Sequence, residues 1–128
     1  MSYYFSKAVN EEFDKAIEKV TEKLKEEGFG ILTEIDVKAT LKKKLDVDFK
    51  KYKILGACNP PLAYKALLSE DNIGTMLPCN VIVKENADGN VEVSAVDPIA
   101  SMMAVKNESL GLVAEEVRNK LKKVIDNL

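Results

Sequence analysis

The sequence contains no histidine and no tryptophan. Without histidine, a single chain cannot build a Ser-His-Asp triad, a Cys-His pair or a histidine-based metal site. Any acid–base chemistry would therefore depend on carboxylates, cysteine, lysine or tyrosine. Long apolar runs are also missing, and a helix that spans a bilayer needs roughly 20 consecutive apolar residues. The sequence thus predicts no histidine-dependent enzyme and no membrane-spanning helix.

An excess of charge of one sign is missing as well. The chain carries 19 basic and 21 acidic side chains, which gives a formal net charge of −2. This balance supplies no overall attraction for nucleic acid or for an anionic membrane, and we interpret the lysine run at residues 42–44 as the solvated side of a short helix. The first residues, MSYYFSKAVNEEF, lack the basic start and apolar segment of a secretion signal. We therefore expect a cytoplasmic protein that binds neither nucleic acid nor membranes.

The length of 128 residues is near the commonest size of one domain, so we expect a single domain over residues 1–128. Strands are predicted where β-branched and aromatic residues cluster, at residues 3–9, 29–35, 52–58, 77–84 and 91–96. The last two enclose a hairpin loop at residues 86–90 with the turn signal Asp88-Gly89. Asp97-Pro98 ends the second of them, because proline cannot continue a strand ladder.

Helices are predicted where apolar residues recur every three or four positions. The first should begin at Asn10 as its N-cap and end at Gly28. Asp36 should cap a short helix, and Asn59-Pro60-Pro61 should open another. Residues 69–75 are predicted to be a loop. The apolar faces of the first, the short and the last helix are, in turn, Phe13, Ile17, Val20 and Leu24; Val37, Leu41 and Leu45; and Leu110, Val113, Val117, Leu121, Val124 and Leu128.

The predicted order is therefore β-α-β-(α)-β-α-β-β-α. The hairpin makes at least part of the sheet antiparallel, and one sheet face can serve both long amphipathic helices. This pattern predicts a two-layer α+β domain.

The two cysteines of the chain are each followed by asparagine, in Cys58-Asn59 and Cys79-Asn80. Cys58 immediately precedes a predicted helix start, where a helix dipole stabilises a thiolate or binds a small anion. It is equally explained as a small buried residue under that helix, since free cysteine is among the most buried residue types. Both interpretations remain open.

Cys79 precedes an apolar strand and could lie beside Cys58. Two thiolates with thioether sulfur from Met76, Met102 or Met103 could hold a soft metal such as copper(I). The spacing does not support a metal, since there is no CxxC and no four-ligand zinc set.

The asparagines have structural explanations too: Asn59 is a good N-cap, and Asn80 could join a turn or bond across strands. Together with the cysteines they could line a cleft with apolar walls and a few polar groups. Our candidate ligand-binding residues are therefore Cys58, Asn59, Cys79 and Asn80. No catalytic residue, metal or cofactor is assigned.

The strings YKILGACNPPLAYKAL and IGTMLPCNVIVKENADGNVEVSAVDP resemble domain-of-unknown-function family 302, a family of small bacterial and archaeal proteins. The most specific parts are residues 56–60, 77–81 and 97–98. The resemblance covers essentially the whole chain and implies a TBP-like α+β fold, with a curved, mainly antiparallel sheet packed by helices, and homodimers. It implies no DNA binding, because function belongs to sites rather than folds.

Three hypotheses of function follow. The first is a non-enzymatic module that binds a small ligand in a cleft near the two Cys-Asn pairs. The second is a thiol-based redox or soft-metal-binding protein that uses Cys58 and Cys79. The third is a structural dimerisation unit.

Overall fold

A computed structural model describes residues 2–128. Within these residues, five strands form one antiparallel sheet in the order β1-β5-β4-β3-β2. The strands are β1 Tyr4–Val9, β2 Gly30–Asp36, β3 Tyr52–Cys58, β4 Cys79–Glu85 and β5 Val91–Val96. The helices are α1 Phe13–Glu26, α2 Val37–Leu45, α3 Pro60–Ser69, α4 Pro98–Ser101 and α5 Glu108–Asp126, with a 3-10 helix at Asp71–Met76. The predicted α+β class is confirmed, and the predicted elements occur in the predicted order, with the 3-10 helix and α4 in addition.

One face of the sheet carries the main core. On β4 the alternate residues Cys79, Val81 and Val83 are buried, while Asn80 is exposed, as the two-residue period of a strand requires. The buried face packs against the apolar stripes of α1 and α5, which supply, among others, Val20, Leu24, Leu121 and Val124. This arrangement confirms that both long helices share one sheet face.

The end of α1 is fixed by a glycine. The Gly28 N–H donates to the Lys25 carbonyl at 3.0 Å, and the Phe29 N–H donates to the Leu24 carbonyl at 2.9 Å. This pair of bonds is the Schellman arrangement, which places its C′ residue in the left-handed region. Gly28 accordingly has a φ of +87°. The prediction that Gly28 ends the helix is confirmed, and the chain turns directly into β2.

The bounds of β1, β2 and β4 differ by one or two residues from the predicted ones, and two further predictions are wrong. Asn10 does not cap α1: the N-cap position belongs to Glu12, whose side chain makes no capping bond. Three residues separate β1 from the helix because the chain must turn from the sheet edge before Phe13 can enter the core. Residues 69–75 are also not a loop, since they contain the end of α3 and most of the 3-10 helix, whose Ile73 is buried.

The helix α2 lies outside the core. Asp36 caps it as predicted, and its carboxylate accepts a hydrogen bond of 2.9 Å from the Ala39 N–H. No residue of α2 is buried, however, and Leu45 is 66% exposed. The expected face of Val37, Leu41 and Leu45 therefore contributes little burial, because α2 packs mainly against β2 and β3 near one edge of the sheet.

None of the helices within residues 2–128 combines the length and the apolar character that a membrane span requires.

Candidate functional site

A cavity of about 330 Å³ lies between the sheet and the helices α3 and α5. It begins where β3 ends and β4 begins, and it is bounded by α3 on one side and by the first half of α5 on the other. The residues of these elements that line it are Ala57, Cys58, Asn59, Leu62, Ala63, Ala66, Leu67, Cys79, Leu110, Val113, Ala114 and Val117. Leu32 and Leu67, at 67% and 41% exposure, also line the cavity, so it reaches the protein surface.

The cavity separates two groups of buried side chains. Ala57 and Cys79 belong to the main core beneath α1 and α5. Ala66, Met102 and Ala114 belong to a smaller core that α3, the 3-10 helix and α5 build beside it. The space between these cores is walled almost entirely by carbon and sulfur. A cavity of that composition favours an apolar occupant.

The smaller core is held together by Asn107, the N-cap of α5. Its side-chain oxygen accepts bonds from the Ser109 and Leu110 N–H groups, at 3.2 and 3.4 Å. Its side-chain NH₂ donates to the Ser69 carbonyl at 2.8 Å. One amide thus joins the end of α3 to the start of α5. Sequence reasoning did not single out this residue.

Both cysteines line the cavity, as free thiols in different environments. Cys79 opens β4 directly opposite Ala57, so it lies next to Cys58 in the strand ladder. Cys79 is 7% exposed, whereas Cys58 is half-buried. Burial is the main cause that raises the pKa of the Cys79 thiol to about 11, and negative charge on Cys58 is the smaller cause. The two cysteines therefore line one cavity, and Cys79 stays protonated at neutral pH.

Asn59 has a structural role on both sides of its amide. Its oxygen accepts from the Leu62 N–H at 3.5 Å and caps α3, as predicted. Its nitrogen donates to the Glu27 carbonyl at the end of α1, at 3.2 Å. A Cβ on Gly28 would lie 3.0 Å from that nitrogen. Asn59 therefore joins two helix ends at the cavity wall, with both ends of its amide engaged.

The start of α3 offers few donors to an anion. Pro60 and Pro61 occupy its first two positions, and proline has no N–H. The next N–H, that of Leu62, is already bonded to Asn59. The thiolate and anion-pocket interpretations of Cys58 relied on free N–H groups at this helix end, and these three positions do not supply them.

Asn80 lies away from the other three predicted site residues. It is exposed, and it pairs with Gly56 in the ladder between β3 and β4, on the sheet face that the long helices leave uncovered. It borders a surface groove with Tyr4 and Tyr52 instead of the cavity. The structure therefore brings together Cys58, Asn59 and Cys79 but not Asn80. The sequence alone predicts that Asn80 and Cys79 lie on opposite faces, because consecutive strand residues point to opposite faces.

Gly56 lies on the same uncovered face, where the side chains of Thr33 and Pro78 approach its backbone closely. A Cβ there would collide with Oγ1 of Thr33 and would lie 2.7 Å from Cγ of Pro78. The strands can pair at this point because position 56 has no side chain.

A hydrogen-bonded carboxylate lies further along that face. The Ser6 hydroxyl donates to Glu92 Oε1 at 2.6 Å, and the Asn86 side chain donates to Oε2 at 3.3 Å. Lys84 lies 3.7 Å from the same carboxylate. These neighbours, with the Ser6 bond first, lower the pKa of Glu92. The cluster is satisfied within itself.

Sequence reasoning missed the apolar walls of the cavity. The helical spacing placed Leu62 and Ala66 of α3 and Leu110 of α5 on inward faces, but it did not predict a space between them, and it did not single out Ala114. Small alanines at facing positions were the available signal, because two helices with short side chains leave space between them. Whether neighbouring side chains fill that space is not encoded in any local pattern.

Comparison with known proteins identifies a family. Residues 5–128 match the model of the family described as Domain of unknown function DUF302. The chain is also similar to the crystal structure of an uncharacterized conserved protein DUF302 from Bacillus stearothermophilus, with a TM-score of 0.91 and 27% identity over 98% of each chain. No curated protein matches the chain. The family predicted from the two Cys-Asn strings is confirmed.

Proposed function

Since the chain belongs to the family described as Domain of unknown function DUF302, whose description names no activity, we propose from the geometry of the cavity that the protein binds a small apolar molecule between α3, α5 and the sheet. The observation that carries this proposal is the apolar cavity of about 330 Å³. An apolar cavity of ~150 Å³ takes up benzene, and ligand sites begin at roughly 300 Å³. The volume thus suits an occupant of up to about thirteen carbon atoms by the same scaling.

The composition of the walls defines the class of ligand. The amide of Asn59 is engaged at both ends, and the remaining wall residues of α3 and α5 are apolar. A charged group placed deep in this space would lose its hydration without gaining partners. We therefore expect an aliphatic or aromatic molecule whose polar end, if it has one, stays near the exposed Leu32 and Leu67.

Fluorescence of N-phenyl-1-naphthylamine, a neutral apolar probe that brightens on leaving water, tests the proposal. We expect saturable binding of one probe per chain and displacement by 1-decanol. The variant Ala66→Leu adds three carbons to the cavity wall, which removes ~2 kcal/mol of apolar contact for the ligand at ~0.8 kcal/mol per carbon. Affinity should fall tenfold or more.

The matched control is Ala39→Leu, which adds the same atoms to the exposed surface of α2 and should leave affinity unchanged. A second variant, Ala114→Leu, fills the cavity from α5 and guards against a folding defect specific to α3. Circular dichroism establishes that each variant is folded. Equal probe affinity in the wild type and in both filled variants would show that the probe binds elsewhere and would overturn the proposal.

The thiol alternative concerns the same cavity and stays a prediction. The raised pKa of Cys79 lowers its thiolate population, so any thiol chemistry near neutral pH falls to Cys58. The homodimer also stays a prediction, which light scattering at micromolar concentration can test.

A further inference from the structure

The two thiols are the reactive groups that the cavity offers. Asn59 lines it too, but both ends of its amide are occupied by the Leu62 N–H and the Glu27 carbonyl. The remaining wall consists largely of alanine, leucine, valine, methionine and proline side chains. A ligand that becomes attached in this cavity must therefore be attached through sulfur.

The two sulfurs are unequal in access. Cys79 is 7% exposed and lies within the main core. Cys58 is half-buried at the end of β3, so a reagent can reach it from solvent while its product extends into the cavity. The raised pKa of Cys79 adds to this difference, because the thiolate is the nucleophile. Attachment is thus expected at Cys58.

The surroundings also select the kind of adduct. A sulfinate or a glutathione adduct on Cys58 would place charge against apolar walls, which costs hydration. A straight acyl chain instead gains by leaving water, and the gain increases with each methylene group that enters. An aliphatic chain of roughly ten carbons fits within the cavity volume when that volume is scaled from the benzene-binding cavity.

We propose that Cys58 is an S-acylation site whose acyl chain occupies the cavity between α3 and α5, with an acyl thioester as the donor. This proposal rests on the proposed function, since the cavity that binds a free apolar molecule also holds the attached chain. Cys79 and the alanines of α3 and α5 form the wall around that chain.

The reaction is an exchange of one thioester for another. The Cys58 thiol loses its proton, and its sulfur attacks the carbonyl carbon of the donor. The bond between this carbon and the donor sulfur then breaks, and the donor leaves as a thiolate that takes up a proton. The acyl group replaces the thiol hydrogen of Cys58, and nothing is oxidised or reduced.

The test uses two donors, S-decanoyl- and S-acetyl-N-acetylcysteamine, with the full-length chain. Intact-mass and peptide mass spectrometry measure the rate and the site of transfer, and hydroxylamine release identifies a thioester. We expect decanoyl transfer to Cys58 to be about tenfold or more faster than acetyl transfer, because only the long chain gains contact with the cavity during the reaction.

Two variants distinguish the contribution of the acyl chain from that of the Cys58 thiol. Ala66→Leu keeps Cys58 but fills the cavity, so its ratio of decanoyl to acetyl transfer rate should fall toward one. Cys58→Ser should form no adduct. The exposed control Ala39→Leu should behave as the wild type does.

The outcomes are distinguishable. A lack of decanoyl preference, or an adduct mainly on Cys79, overturns acylation at Cys58, and normal probe binding in the same sample leaves the apolar-ligand function standing. If probe binding is also insensitive to Ala66→Leu and Ala114→Leu, both proposals fail together.

Discussion

Cys79 should be the less reactive thiol of the chain by a wide and measurable margin. It is 7% exposed, and burial raises its pKa from 9.0 to about 11. At pH 9 a thiol of pKa 9.0 is half ionised, whereas one of pKa 11 is ionised to about 1%. The native thiolate population of Cys79 should therefore be about fiftyfold lower than in the unfolded chain, and alkylation should slow by at least that factor.

The assay is alkylation by iodoacetamide at pH 9, followed by peptide mass spectrometry. The reference is Cys79 itself in the chain unfolded by urea, so that the effects of the neighbouring sequence and of the reagent cancel in the ratio of the two rates. The variant Cys58→Ser removes a competing thiol and the negative charge that contributes to the shift, and it should lower the pKa of Cys79 slightly. A native alkylation rate within fivefold of the unfolded rate would refute the burial argument.

The same shift has a consequence for stability, and its sign is fixed. Because the folded pKa of Cys79 is raised, its contribution is fully present below pH 9.0 and is lost as pH rises toward about 11. A shift of two units corresponds to roughly 2–3 kcal/mol. Over that range, the wild type should lose about this much more unfolding free energy than Cys79→Ala does.

Three further perturbations test other parts of the structure. Gly56→Ala should destabilise the protein by about 2–3 kcal/mol in urea denaturation, because its methyl would lie 2.7 Å from a proline ring carbon and overpacking costs ~1–3 kcal/mol. Asn59→Ala should cost ~1–2 kcal/mol through the lost helix cap, whereas Asn80→Ala on the uncovered face should cost under ~0.5 kcal/mol. Ser6→Ala should raise the pKa of Glu92 in an NMR titration, since the Ser6 hydroxyl is the largest cause of its lowering. A carboxylate whose pKa is lowered by folding stabilises the folded state at pH values above its unfolded pKa, and this stabilisation is lost as the pH falls through the folded pKa. The wild type should therefore lose more stability than Ser6→Ala as the pH falls through the folded pKa of Glu92.

Each of these predictions has an outcome that contradicts it. Gly30→Ala, whose added methyl meets no atom within 4 Å, is the control for Gly56→Ala, and equal costs would remove the steric explanation. Equal costs for Asn59→Ala and Asn80→Ala would mean that the double role of Asn59 contributes nothing. An unchanged titration of Glu92 in Ser6→Ala would show that another neighbour sets its pKa.

The sequence predicted the strands better than it predicted the helix starts. β3 was predicted with both ends correct, because a β-branched and aromatic run is bounded by Asn59-Pro60 on one side. The start of α1 was misplaced because Asn10 is a good N-cap by type, whereas the geometry of leaving β1 delays the helix to Phe13. α4 was missed because Asp97-Pro98 was interpreted only as a strand end, although Asp97 also caps that helix with a bond of 3.0 Å to the Ile99 N–H.

The sequence predicted three of the residues at the site but not the cavity that they line. The Cys-Asn strings located Cys58, Asn59 and Cys79, since their strand and helix positions are local properties. The cavity itself depends on how α3 packs beside α5, and these two helices are far apart in sequence. The periodicity of apolar residues does not predict a cavity, so the alanine-lined walls could be identified only from the structure.

The pairing of β1 has a consequence for how the chain assembles. The strands β2 to β5 are neighbours in both sequence and sheet, so each can pair as soon as the next one is made. β1 is the exception, because it pairs with β5 alone. During synthesis β1 is made before the other four strands, and it stays unpaired until β5 has been made. We therefore expect α1 and β1 to dock late in synthesis, together with α5, whose Asp126 carbonyl accepts a bond from Lys7 of β1. The edge made first would then be the edge completed last.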